Sequence, residues 1–230
     1  MKEKGSIAAI FERQWIHAVV LVVMVVALWL ISRACPCFHR GGLWGIGTWS
    51  WFWIAVAVPI VHQVFVWFCW RTELHRGLIS RVFGPFGFSI YASIFTVLIV
   101  GRLVAVTALA VASRDTLPLN HLVLRWLAVV IAIPVAYLGY SVARYFTFKR
   151  AFGADHFDPA YRSLPLVRQG IFRFTSNGMY IFGLMVLYIP ALWYASRPAL
   201  VVALFNHAYI WVHYLTVERP DMRRIYGPAR

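Results

Sequence analysis

Charged side chains, and acidic ones above all, are scarce in this sequence. Only 13% of the 230 residues are charged, with 8 Asp and Glu against 22 Lys and Arg, while 61% of the residues are hydrophobic. A soluble domain carries about 25% charged residues. The deficit therefore argues against an ordinary soluble protein and predicts an integral membrane protein.

Several motifs that would announce a chemistry are also missing. The sequence contains no Ser–His–Asp pattern, Walker loop, dinucleotide-binding glycine motif or zinc-ligand spacing. Asp155, His156 and Asp158 lie close together in a loop, but an Asp before Pro usually caps a turn, so we expect no metal ion there. We expect unpaired thiols at Cys35 and Cys37, because a bridge between residues so close would be strained.

The net charge of +14 has a simple reading in a membrane protein. Basic residues gather in cytoplasmic loops and meet anionic lipid, so we expect the bilayer as a partner and no nucleic acid. Nearly all basic residues are Arg, which indicates a high-GC bacterium. The inner membrane is thus a better location than the endoplasmic reticulum.

Long apolar runs divide the chain. They are continuous rather than alternating, which favours helices over a β-barrel. We predict an all-α polytopic protein with about six spans, forming one domain over 1–230. The predicted spans cover residues 15–31, 49–70, 89–112, 121–145, 179–195 and 198–217.

The basic residues predict how these spans are oriented. Of the 22 Lys and Arg, 16 fall at the two termini and in the segments around 71–88 and 144–178, whereas 5 fall on the other side. The remaining one, Arg102, lies within the third span. Both termini and the long loop are therefore expected in the cytoplasm.

Two polar clusters, residues 173–180 and 218–226, stand at the open ends of the last apolar hairpin. Because a hairpin brings its open ends to one membrane face, the clusters are expected to meet. A carboxylate such as Glu218 at a membrane edge is costly unless it faces a cavity or a partner. Pairing with Arg219 or Arg223 is the structural alternative. Helical spacing places four residues on one face: His207, Trp211, Tyr214 and Glu218.

The fourth span carries a further polar face. Tyr137, Tyr140, Arg144 and Phe148 follow one another at helical spacing. This face could line a pocket, or its polar ends could reach towards the membrane surface. A neighbouring row of small residues is suited to close helix packing. That row consists of Ala132, Ala136, Gly139 and Ala143.

These clusters resemble the motifs of membrane methyltransferases of the phosphatidylethanolamine and isoprenylcysteine type. The first reads Asn177-Gly178-Met179-Tyr180, followed by Gly183, with Gly where the family has Pro. The second reads Glu218-Arg219-Pro220 with Tyr226 and Gly227 downstream, and Arg219 replaces a second Glu. The resemblance covers roughly 137–227. It implies a methyltransferase-like core over 121–230, and it leaves the three-helix part, 1–120, without an assigned role.

The resemblance implies S-adenosyl-L-methionine at the cytoplasmic face and a membrane lipid head group as acceptor. The motif forms favour the amine of phosphatidylethanolamine or a methylated derivative. Glu218 or His207 would take the proton that such an amine must lose. Arg168 and Arg173 would bind the lipid phosphate. The expected cofactor-binding residues are Asn177, Gly178, Tyr180, Gly183, Glu218, Arg219, Tyr226, Tyr140 and Arg144.

Three other functions are compatible with the sequence. A carboxylate acceptor, as in isoprenylcysteine O-methylation, would need an Arg but no base. Sterol reductases share this type of terminal hairpin, and nicotinamide would then be the cofactor. The departures at Gly178 and Arg219 are compatible with a scaffold that has lost turnover.

Overall fold

Helices make up most of the structure, a computed structural model that describes residues 7–227. A short β-hairpin pairs β1 (Gly42–Leu43) with β2 (Ile46–Gly47) in antiparallel register. The α-helices in chain order are α1 (Ile7–Ile10), α2 (Gln14–Ala34), α3 (Thr48–Arg76), α4 (Leu78–Phe83), α5 (Gly87–Ala112), α6 (His121–Ser141), α7 (Phe148–Ala151), α8 (Ala154–Phe157), α9 (Tyr188–Trp193), α10 (Arg197–His213) and α11 (Arg219–Tyr226).

The all-α, polytopic prediction is confirmed. Within the described residues, five helical segments are long and apolar enough to cross a membrane. The fifth span predicted from the sequence is a shorter apolar helix, Met179–Trp193. The chain ends, which we expect in the cytoplasm, lie outside the described residues. The five long segments are Ile7–Ala34, Thr48–Arg76, Leu78–Ala112, His121–Phe146 and Arg197–Tyr226.

The core of the bundle is formed by α3, α5 and α10. Helix α3 runs against α5, and α10 packs on both, with α9 beside it. Phe52, Val106 and Val202, one from each of the three helices, are fully buried at this junction. Apolar side chains also cover the outside of α2, for example Val19 and Val23, as a lipid-facing surface requires.

In the described part of the chain, three helices carry a π-turn, a five-residue widening of the helix. The π-turns are Val142–Phe146, Met179–Gly183 and Tyr214–Glu218. All three belong to segments that meet the long loop or the C-terminal helix. We call this the basic end of the bundle, because Arg76, the loop 147–178 and α11 lie there. Each π-turn adds a residue and turns the following side chains to a new face.

Cys35 and Cys37 form a disulfide, so the prediction of two unpaired thiols is wrong. Pro36 begins a 3-10 turn, Pro36–Phe38, which folds the chain back on itself. The two Cα atoms are 5.2 Å apart, within the range that a disulfide spans. Cys69 is free and buried.

Candidate functional site: a cavity inside the bundle

A cavity of about 400 Å³ lies between α3, α5, α6 and the terminal hairpin. Most of its lining is apolar, including Val66, Leu138 and Leu184. This volume is in the range of small-ligand sites, which are typically apolar with a few polar groups. Seven of the lining side chains carry a polar group: His62, Gln63, Trp70, Arg102, Tyr180, His213 and Glu218.

Glu218 reaches this cavity because of the π-turn that precedes it. In an uninterrupted α-helix, a residue five positions after His213 would point about 140° away from it. The π-turn Tyr214–Glu218 takes up one extra residue, so Glu218 faces the same cavity as His213 and Ile210. His207, Trp211 and Tyr214, which the sequence placed on a face with Glu218, do not line the cavity.

Arg71 holds the π-turn on one side. Its guanidinium is buried and donates hydrogen bonds to the carbonyl oxygens of Thr216 (3.1 Å) and Val217 (3.2 Å). The same group pairs with Asp221, with Nε 2.8 Å from Oδ2, and donates to Ala9 O at 2.7 Å. One side chain from α3 therefore fixes both the π-turn and the start of α11.

His17, from α2, holds the π-turn on the other side. Its two ring nitrogens lie 3.1 Å from Thr216 Oγ1 and 2.8 Å from the hydroxyl of Tyr209. Thr216 Oγ1 also donates to Val212 O at 2.7 Å. The first and second spans thus position the turn that carries Glu218.

The first motif of the hairpin reaches the cavity through Met179, Tyr180 and Gly183. The Tyr180 ring packs against Tyr214 and Trp211, with centroids 5.3 and 5.9 Å away. Asn177 and Gly178 do not line the cavity. The Asn177 carbonyl accepts hydrogen bonds from the backbone N–H groups of Tyr180 and Ile181, at the start of the π-turn.

Other residues predicted for the site lie apart from the cavity. His207 contacts Tyr188 edge to face, with ring centroids 5.8 Å apart. Tyr140 is 55% exposed, and Arg144 is exposed above the Tyr145 ring. Helix α6 instead presents its apolar face to the cavity, through Leu138, Gly139 and Val142. The polar face of α6 is therefore on the outside of the bundle.

The remaining predicted side chains lie on the surface of the basic end. Arg168, Arg173 and Arg219 are exposed, and the Arg173 guanidinium lies over the Phe174 ring. The Tyr226 hydroxyl donates to Asp155 Oδ2 at 3.0 Å, so it ties α11 to the long loop.

Asp155 and His156 form a buried charge cluster beneath the cavity rather than a simple turn cap. His156 Nδ1 lies 3.1 Å from Asp155, Nε2 lies 3.5 Å from Asp221, and the ring stacks on Trp70 with centroids 4.2 Å apart. Asp158 does cap a 3-10 turn by accepting the Ala160 N–H at 2.9 Å, as predicted.

The charges of this cluster shift its titration. Burial alone would lower the pKa of His156, but its hydrogen bonds to Asp155 and Asp221 outweigh burial and raise the pKa to about 9. For Asp155, burial acts to raise the pKa, and the hydrogen bond and charge of His156 bring it below the ordinary value. The cluster is thus charged on both sides at neutral pH.

The residues that the sequence analysis did not assign to the site are His62, Gln63, Trp70, Arg102 and His213. A signal was present for Arg102 and His62, since an ionisable residue inside an apolar span is a functional candidate. Nothing local in the sequence tells which face of α3 or α5 turns inwards.

A second cavity, of about 320 Å³, lies at the opposite end of the bundle. Arg114, Asp115, His121 and Arg125 are among its lining residues, beside Trp193 and Tyr194. None of the residues predicted for the site lines it, so the candidate site is the cavity at Glu218.

Comparison with known proteins agrees with the motifs. Residues 123–229 match the family model described as phospholipid methyltransferase. Neither the curated proteins nor the solved structures include a match to this chain. The matched region runs from α6 through α11 and includes both motifs and Glu218. It confirms the predicted resemblance: from residue 123 to residue 229, this membrane protein is similar to the phospholipid methyltransferase family.

Proposed function

We propose that this protein transfers a methyl group from S-adenosyl-L-methionine to the amine of phosphatidylethanolamine or a methylated derivative. The observation that carries the proposal is Glu218, a carboxylate of the second motif that lines an otherwise mainly apolar cavity. A carboxylate in such surroundings is costly unless it meets a cationic ligand. Both the acceptor amine and the cofactor offer positive charge.

The residues of the cavity fit both reactants. Its apolar walls suit the hydrocarbon part of a lipid that enters from the bilayer. The Tyr180 ring lines the same cavity as Glu218, and an aromatic ring stabilises a cation by cation–π contact. The bound cofactor supplies an activated methyl group on a sulfonium centre. We assign Tyr180, Gly183 and Glu218 to its binding.

The acceptor amine must lose its proton before it can take a methyl group. An ammonium of pKa about 10 holds that proton with roughly 4 kcal/mol at pH 7. Glu218 is placed to accept it, and the apolar wall disfavours the ammonium form. We keep Glu218, and not His207, as the catalytic proton acceptor, because His207 packs against Tyr188 outside the cavity.

We place the reaction at the cytoplasmic face, in the inner membrane of a bacterium. The basis is the charge of the basic end, since 16 of the 22 Lys and Arg fall on that side of the predicted topology. Anionic lipids of the inner leaflet would draw this surface to the membrane.

Methyl-labelled S-adenosylmethionine, given to purified protein in phosphatidylethanolamine vesicles that also contain a prenylated cysteine, tests the proposal. We expect label in the amine head group, and a loss of about 100-fold or more in Glu218→Gln. The control, Asp115→Asn, removes an exposed carboxylate at the opposite end and should keep the wild-type rate. Label confined to a prenylated cysteine methyl ester, or to no lipid in folded protein, would overturn the proposal.

A further inference from the structure

Among the residues that the structure describes, Arg102 is a buried cation with no counter-charge. The residue is 2% exposed, belongs to α5 in the third span, and lines the cavity. Its Nη2 donates to Pro59 O at 3.3 Å, and Nε has no hydrogen-bond partner within residues 7–227. Within that same range, no carboxylate lies within ion-pair distance of it. A buried guanidinium without a counter-ion is strongly unfavourable, so an anion from outside the chain is expected.

Two histidines line the same cavity and are equally short of partners. His62 and His213 are each 2% exposed, and both ring nitrogens of each lack a hydrogen-bond partner in the part of the chain that the structure describes. Aromatic packing holds the rings: His62 against Phe95 at 4.6 Å, and His213 against Trp70 at 5.9 Å. Even a neutral imidazole offers one N–H donor. Together with Arg102, these rings provide donors for an oxyanion.

We propose that Arg102, flanked by His62 and His213, binds the phosphodiester of the acceptor lipid inside the cavity. This inference rests on the proposed function and adds to it a binding site for the lipid phosphate. Arg102 and His62 lie outside residues 123–229, so the site joins the first part of the chain to the matched region. The carboxylate of the cofactor has the same chemistry and is the other possible source of the anion.

The position of Glu218 favours the lipid. Glu218 follows His213 by five residues on the same side of the helix, a rise on the order of 7 Å. The amine and phosphorus of an ethanolamine head group are four bonds apart, about 5 Å. Arg102 bonds to Pro59 O in the middle of α3, so the cavity has a carboxylate towards the basic end and a cation deeper in the bundle. That order matches an inner-leaflet phospholipid, whose amine lies outermost and whose phosphate lies nearer its acyl chains.

This placement replaces the one predicted for the phosphate. Arg168 and Arg173 are exposed on the long loop, where water competes for any anion. Arg102 is in an apolar surrounding, where a charge-assisted hydrogen bond to phosphate is much stronger.

Binding of short-chain lipids to the purified protein, measured by native mass spectrometry, tests the inference without requiring turnover. Wild type should retain phosphatidylethanolamine about ten-fold or more tightly than diacylglycerol of the same chain length, which lacks both the phosphate and the amine. The part of this preference that depends on Arg102 reports on the phosphate. Arg102→Gln should lose this preference, and Arg102→Lys should keep part of it. Arg33→Gln removes an exposed arginine beside Trp29 and should behave as wild type.

Each alternative has its own outcome. If Arg102→Gln weakens S-adenosylmethionine binding and leaves the lipid preference intact, the anion is the cofactor carboxylate and the inference is overturned. Equal retention of both lipids by wild type overturns it as well, even if Arg102→Gln does not fold. Selective, Arg102-dependent retention in a protein that transfers no methyl group would uphold the phosphate site and refute the proposed reaction.

Discussion

The role of each buried charged residue in this protein depends on whether it lines the cavity or pairs with another charge. Glu218 and Arg102 line the cavity, whereas Arg71 and Asp221 pair with each other in the protein interior. His156 lies between the carboxylates of Asp155 and Asp221, and its ring stacks on Trp70. We assign Glu218 and Arg102 to ligand binding. Arg71, Asp221 and His156 hold the basic end together.

His156 should make the stability depend on pH. Its pKa in the folded protein, about 9, is above the ordinary 6.5, so its contribution is complete below pH 6.5 and is lost as pH rises through 9. The pKa of Asp155 is lowered in the folded protein, so this residue stabilises the fold at pH values above its ordinary pKa. That stabilisation is lost on acidification. We expect the Tm to fall by roughly 5 °C between pH 6.5 and 9.5.

A scanning fluorimetry series at several pH values measures this directly. His156→Gln should be less stable at pH 6.5, and its Tm should change less with pH than that of wild type. If both proteins show the same slope between pH 6.5 and 9.5, His156 does not have the role assigned to it.

Among the elements, the turns at the basic end matter as much as the spans. Gly153 precedes α8 with φ +81°, and a Cβ there would lie 2.5 Å from the Trp70 ring. Because Gly153 has no side chain, the loop 147–178 can approach Trp70 closely enough for His156 to stack on its ring. Trp70 also lines the cavity. A substitution in the loop that moves His156 would therefore also move Trp70 in the cavity wall.

Gly153→Ala should destabilise the protein by about 2–4 kcal/mol, because backbone strain adds to a clash with a packed ring. Gly45→Ala is the matched control: Gly45 also has positive φ, +75°, and its Cβ would meet no atom within 4 Å. That variant should cost only about 1–2 kcal/mol. Equal losses in the two unfolding measurements would mean that contact with Trp70 contributes nothing.

The sequence was sufficient for some elements and not for others, and the difference is physical. Apolar runs and the motifs at 177–183 and 218–220 are local patterns, so the spans, the hairpin and the position of Glu218 at its open end could be predicted. The π-turns could not, because the turn at Glu218 is held by Arg71 and His17, far away in the sequence. A one-residue shift was enough to separate Glu218 from His207.

The cavity is a property of the whole molecule. The matched region supplies Tyr180, His213 and Glu218, while α3 and α5 supply His62 and Arg102. The first helices, which had no assigned role, thus complete the wall and hold the π-turn. We expect the matched region alone to lack a complete site.

Filling the cavity is the most direct test that methyl transfer takes place there. Gly139 lines the cavity, and a Cβ on it would meet no atom within 4 Å, so Gly139→Leu adds volume without removing charge. Gly47, in the outer β-hairpin, has equal room for a side chain and provides the control Gly47→Leu.

The measurement is the rate of label transfer from methyl-labelled S-adenosylmethionine to phosphatidylethanolamine by the wild type and these two variants. Each variant is first shown to have the Tm of the wild type. The account predicts about a ten-fold or greater loss in Gly139→Leu and a wild-type rate in Gly47→Leu. A full rate in folded Gly139→Leu would contradict it, because the reaction would then take place elsewhere.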